Sequence, residues 1–264
     1  MKKILFFLIL VTLIISVFAH EYILLAAKFK VKRGDNLEMH LFAADGFNIE
    51  GERNFKKSAI SKFELLTRDS TIDLTTQPDE ILPIVRRTVN FEGGGLFHME
   101  RNYARISLVT SKFIDYLKED YIDGIIAKVD RSKKEQKERY TRYIKSLVQS
   151  GDSYSDTMYR TVVGQKFEIV LLQNPYSLHT GAIIKVKILF DGKPLAGKNI
   201  TARNRTGSSP AISLVSRTDS NGICFFKLTR TGDWFLHATY MIPCPDKSDS
   251  DWESFWTSYS FGIE

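Results

Sequence analysis

Cysteine is scarce in this chain: Cys224 and Cys244 are the only two in 264 residues. Two thiols so far apart exclude a cysteine metal cluster, which needs three or four in close spacing. An oxidising compartment would permit a disulfide between them, although Cys244 lies past the end of its strand and the loop would have to fold back. Histidine is scarce too, with five residues. Charge of one sign is not in great excess. The formal net charge is +6, too mild to argue for nucleic acid as a partner. After residue 19 no apolar run approaches the roughly 20 residues that a membrane span needs. Also missing are Gly-x-Ser-x-Gly, HExxH and any nucleophile triad, so the chain reads as a binding protein and not as an enzyme.

What is present begins with "MKKILFFLILVTLIISVFAH". Two lysines, a short apolar core and Val17-Phe18-Ala19 at a cut have the form of a secretory signal peptide. Residues 1–19 are therefore expected to be removed on export to the periplasm or beyond, leaving His20 as the first residue. An N-terminal histidine offers two nitrogen donors, its α-amine and its imidazole. The amine deprotonates near pH 7.7–8.0, so a metal displaces its proton at little cost. Nitrogen donors suit nickel, copper and zinc. One further imidazole would complete a histidine brace. His237 in "WFLHATYM" is the first choice for it and His98 in "LFHMER" the second. His40 reads as strand packing and His179 as part of an exposed turn.

Along the chain, residues 20–110 read as a β domain. Gly93-Gly94-Gly95 is expected to be a hairpin turn. Residues 111–151 read as a helical insertion: Ser111 caps a first helix carrying Phe113, Ile114, Leu117 and Ile122, and "SKKEQKERYTRYIKSLVQSG" is a second helix that stops at Gly151. On that second helix Arg139, Tyr140, Arg142 and Tyr143 would share a face able to grip a carboxylate or a partner. Residues 152–264 read as a β-sandwich, with Cys224 and Cys244 flanking a hairpin that turns near Gly232. Asp249, Asp251 and Glu253 alternate as calcium-binding oxygens often do, without the glycine and distal glutamate of the full loop. The expected architecture is mainly β: two β-sandwich-like domains with an inserted helical hairpin.

Two resemblances add to this. "GKPLAG", "TDSNG" and "GDWFLHA" are similar to the prealbumin-like or Ig-like sandwiches attached to many secreted proteins. "AHEYILL", "RYTRYIKSLV", "GDWFLHATYM" and "DSDWESFWTSYSF" occur in the same order as in a family of bacterial secreted proteins. That family is a domain of unknown function often described as NikM-like, the periplasmic component of nickel/cobalt uptake. Its mature chains begin with histidine, an acidic residue and an aromatic one, here His20, Glu21 and Tyr22; Ile23 stands where tryptophan is often found. The resemblance implies nickel or cobalt as the bound ion, His20 and His237 as ligands, and a membrane importer as partner. Copper held by a histidine brace, and a secreted adhesion or carbohydrate-binding module, are the alternatives.

Overall fold

The computed structural model describes residues 21–264. His20 and the expected leader, residues 1–19, lie outside the described residues. The first half supplies strands β1 (Glu21–Ala26), β2 (Lys30–Val31), β3 (Asn36–Asp45), β4 (Asn48–Arg53), β5 (Ile60–Leu66), β6 (Thr71–Asp73), β7 (Val85–Thr88), β8 (Gly93–Arg101) and β9 (Ala104–Val109). Helix α1 (Thr110–Glu119) and the single turn α2 (Asp123–Ile126) lead into β10 (Glu135–Ser150). Then come β11 (Phe167–Leu171), β12 (Ile183–Phe190), β13 (Lys193–Pro194), β14 (Asn199–Arg205), β15 (Ile212–Arg217), β16 (Ile223–Lys227), β17 (Gly232–Pro243) and β18 (Trp252–Ile263).

A ten-stranded sheet runs β15-β14-β17-β18-β10-β8-β5-β6, with β2 and β9 also paired to β10. A four-stranded sheet of β1, β3, β4 and β7 covers one face, and another of β11, β12, β13 and β16 covers the other. Side-chain alternation along the central strands builds both interiors. Phe235, Ile144 and Val148 enter the first core with Leu24, Leu41 and Phe63. Trp234, Leu236, Tyr143 and Leu147 enter the second with Ile169, Val186 and Phe226. The mainly β, sandwich-like architecture is as expected. The central sheet draws strands from both halves of the chain, joined through β10.

The expected second helix is the main correction. Residues 135–150 form β10, hydrogen-bonded to β18 in parallel and to β8 and β9 antiparallel. Its Glu, Gln, Lys and Arg favour helix locally. Its apolar residues, however, serve two cores at once, and the run from Thr141 to Ser150 is buried throughout. An amphipathic helix buries one stripe. A central strand buries both faces. The long helix among the described residues, α1, begins at Thr110, so Ser111 lies inside its first turn.

Two smaller expectations also fail. Gly93-Gly94-Gly95 is not a turn but the start of β8, opposite Ser150, Gln149 and Val148. A Cβ on Gly95 would come within 2.5 Å of the Phe91 ring, and one on Gly94 within 2.8 Å of the Met158 Cβ, so glycine is required by close packing. The cysteines are free and buried. Strand β16 pairs with β12 in an outer sheet while β17 pairs with β14 and β18 in the central one. The hairpin that would have brought the two thiols near each other does not form.

Candidate functional site

The start of β1 is fixed by β18. Strand β1 pairs with β3 along one edge. On its open edge the Ser258 hydroxyl donates to the Tyr22 carbonyl at 2.9 Å, and the Ser260 hydroxyl donates to the Leu24 carbonyl. These bonds satisfy backbone acceptors that would otherwise be buried unpaired. The serines alternate with Phe255, Tyr259 and Phe261, which face the second core, and their small side chains leave room for β1 to lie on the sheet.

This places Glu21 over β14 and β17. Arg203 Nη1 donates to both Glu21 carboxylate oxygens at 2.7 Å. His237 Nε2 lies 3.5 Å from Glu21 Oε1 and 3.2 Å from Thr239 Oγ1. Thr239 in turn donates to Asp120 Oδ2 at 2.9 Å. Asp120 is delivered by α1, whose Phe113 and Tyr116 rings stack on Trp252 and Trp256. The result is a row in which buried Glu21, His237 and Thr239 lie between half-buried Arg203 and Asp120.

Burial dominates the protonation of this row. It pushes the Glu21 carboxyl up to about 7 against the opposing pull of Arg203. Asp120 is raised to about 6, again by burial, against the pull of His237. The same loss of water pushes His237 down to about 3, with Asp120 opposing and the charge on Arg203 assisting. His237 is therefore a neutral imidazole at physiological pH, the form that binds metals.

An aromatic and cationic wall stands beside it. The Trp256 ring lies 5.6 Å from His237. The Arg142 guanidinium sits over Tyr22 at 4.3 Å, Tyr140 at 4.8 Å and Trp256 at 5.6 Å, and Arg101 covers Tyr22 at 4.7 Å.

The expected Arg139/Tyr140/Arg142/Tyr143 face is divided by the strand. Tyr140 and Arg142 join this wall. Arg139 and Tyr143 point to the opposite side of the sheet, Tyr143 into the second core. Arg139 bonds Glu253 at 2.8 Å and Asp249 at 3.4 Å and lies over the Tyr103 ring. Asp249 also pairs with Arg105, and Asp251 with Lys133. Those acids, weighed above as calcium oxygens, are neutralised within the chain.

His98 does not join His237. Its neighbours Phe97 and Met99 enter the first core, so His98 points to the opposite face, where its Nε2 meets Glu64 Oε2 at 2.9 Å and its Nδ1 has no partner. Burial lowers its pKa against the pull of Glu64. His40 bonds Glu52 at 2.7 Å and stacks on Phe42, as packing suggested. Among the described residues, no three His, Cys, Asp or Glu side chains are grouped to hold a metal. Glu21 was visible in the sequence only as the acid after His20. Arg203, Thr239 and Asp120 carried no signal, because strand pairing and the end of α1, not spacing, bring them together.

Comparison with known proteins gives one informative match. Residues 17–242 match the family described as Domain of unknown function (DUF4198). No curated protein matches the chain. Among solved structures, the D0-D1 domain of Intimin is 12% identical, covering 90% of this chain and 96% of its own, with a TM-score of 0.20. A tetra-tandem repeat in the extending region of a large adhesion protein is 6% identical, covering 93% of this chain and 50% of its own, with a TM-score of 0.25. Scores this low carry no statement about fold or function. The family match runs from residue 17 to the last residues of β17, and the chain belongs to the DUF4198 family.

Proposed function

We propose that this protein binds a transition-metal ion outside the cytoplasm, nickel or cobalt as the NikM-like resemblance implies, and passes it to a membrane importer. It acts as a binding protein, not an enzyme. In this reading the leader is cleaved after Ala19 and the protein works in the periplasm or beyond. The freed His20 chelates through its α-amine and imidazole, and His237 supplies the third nitrogen.

One observation carries the proposal: Glu21 Oε1 lies 3.5 Å from His237 Nε2. Consecutive Cα atoms are about 3.8 Å apart, so in this reading a terminus freed one residue before Glu21 would be within reach of the His237 ring. The donor chemistry fits such an ion. His237 is held neutral near pH 7, so one of its two ring nitrogens carries no proton and can act as a ligand. The Glu21 carboxylate is close enough to orient a ligand or balance the ion's charge.

Three proteins test it by calorimetry with nickel, cobalt and copper: the chain starting at His20, the same chain with one alanine placed before His20, and His237→Ala. The added alanine keeps the imidazole but moves the terminal amine away from it. It is expected to lose at least about tenfold in affinity, or ~1.4 kcal/mol, and His237→Ala at least as much. Equal binding by all three would refute the site. Copper is expected to bind tightest of the three metals, as it does at nitrogen sites generally, so the choice between nickel or cobalt and the histidine-brace copper reading is made by metal analysis of the protein matured in the periplasm.

A further inference from the structure

The outermost surface of the β12–β16 pair is unusual for an antiparallel sheet. Such a sheet presents one face to its core and a polar face to water. Here Ile184, Val186, Cys224 and Phe226 face the core as expected. The outward row is Ile183, Lys185 and Lys187 on β12, with Lys227, Phe225 and Ile223 directly opposite. Ile183 is 55% exposed and Phe225 50% exposed. Each cross-strand pair in this row joins a lysine to an apolar residue, and Lys185 Nζ lies 5.6 Å from the Phe225 ring centroid. The row has three lysines and no acid.

We infer that this face docks on an anionic phospholipid surface. Lysine stems lie along apolar side chains while their ammonium groups reach outward. Phe225 and Ile183 then enter the headgroup layer as the ammonium groups of Lys185, Lys187 and Lys227 meet lipid phosphates. An acidic protein partner would satisfy the charges but leave Phe225 and Ile183 without a purpose, which favours the lipid. On the outer edge of β16, Phe225 N donates to Ser216 Oγ at 3.4 Å. The lysine face belongs to an outer sheet on the far side of the central sheet from His237, so the inference stands apart from the metal reading.

The test uses residues 20–264, without the apolar leader, and vesicles of phosphatidylcholine alone or mixed with phosphatidylglycerol. Sedimentation should show binding to the mixed vesicles, weakened by salt, and none to the neutral ones. Each lysine near an anionic surface is worth about fivefold in partitioning, so Lys185→Gln, Lys187→Gln and Lys227→Gln together should reduce binding by at least roughly tenfold. All three native tryptophans, Trp234, Trp252 and Trp256, are buried. A Phe225→Trp variant therefore provides a tryptophan on this face whose emission should shift to the blue with mixed vesicles. Absence of binding to mixed vesicles, equal binding by the lysine variant, or an unshifted Phe225→Trp emission would each overturn the proposal. So would binding to soluble polyglutamate as tight as to the vesicles, which would assign the face to an acidic polymer.

Discussion

Replacing Lys145 by methionine is expected to cost about 3–5 kcal/mol, the range for breaking a buried ion pair by removing one partner. Lys145 sits mid-way along β10, and its side chain and that of Glu168 are each 1% exposed. Its ammonium has three acceptors: the Glu168 carboxylate, the Ile169 carbonyl at 3.1 Å and the Thr161 carbonyl at 3.2 Å. Glu168 also accepts from the backbone N–H groups of Val163 at 2.8 Å and Gly164 at 3.1 Å. Burial lowers the Lys145 pKa against the pull of Glu168. Methionine fills the space and leaves that carboxylate without its cation. Domains of this kind are stable by only about 5–15 kcal/mol, so the loss should be plain in urea denaturation. The double variant Lys145→Met, Glu168→Gln should recover a good part of it, because the stranded charge is gone. A loss below about 1 kcal/mol for the single variant would mean that the pair is hydrated in solution.

Lys145 also shows why part of the fold was not legible. A strand with charged residues at positions 139, 142 and 145 reads as an amphipathic helix, since spacings of three and four look helical. The structure gives each charge a private partner on one face or the other: Glu253 for Arg139, the rings of Tyr22, Tyr140 and Trp256 for Arg142, and Glu168 for Lys145. Those partners lie up to more than a hundred residues away in sequence, beyond the reach of local periodicity. The strands with plain alternation were readable, β17 and β18 above all, because one side of β17 is aliphatic or aromatic from Trp234 to Ile242 and one side of β18 carries Phe255, Tyr259, Phe261 and Ile263. His237 was legible as the one histidine of β17. Glu21 was legible only beside His20. Arg203 and Asp120 were not, because one sits among basic residues of "ARNR" and the other ends a helix whose docking on Trp252 and Trp256 no spacing reveals.

Arg203→Met should make stability strongly pH-dependent. With Arg203 in place the buried Glu21 carboxyl titrates near 7, above its usual 4.5. A carboxyl raised on folding adds no penalty below about pH 4.5, and its penalty grows as pH rises toward the folded value. Each unit of separation is worth about 1.4 kcal/mol. Methionine removes the Arg203 cation bonded to Glu21, so the folded value climbs further and the penalty keeps growing above pH 7. Wild type and variant should therefore be nearly alike at pH 5, apart from lost packing, and separate by about 3 kcal/mol or more at pH 9. Adding Glu21→Gln to the variant should flatten that dependence, because no charge is left to strand. Arg203 also helps hold His237 unprotonated, so the His237 ring should titrate higher in Arg203→Met, read by its ring-proton shifts in NMR. A stability difference that stays constant from pH 5 to pH 9 would show that Arg203 holds β1 by packing alone and that Glu21 is not the charge it neutralises.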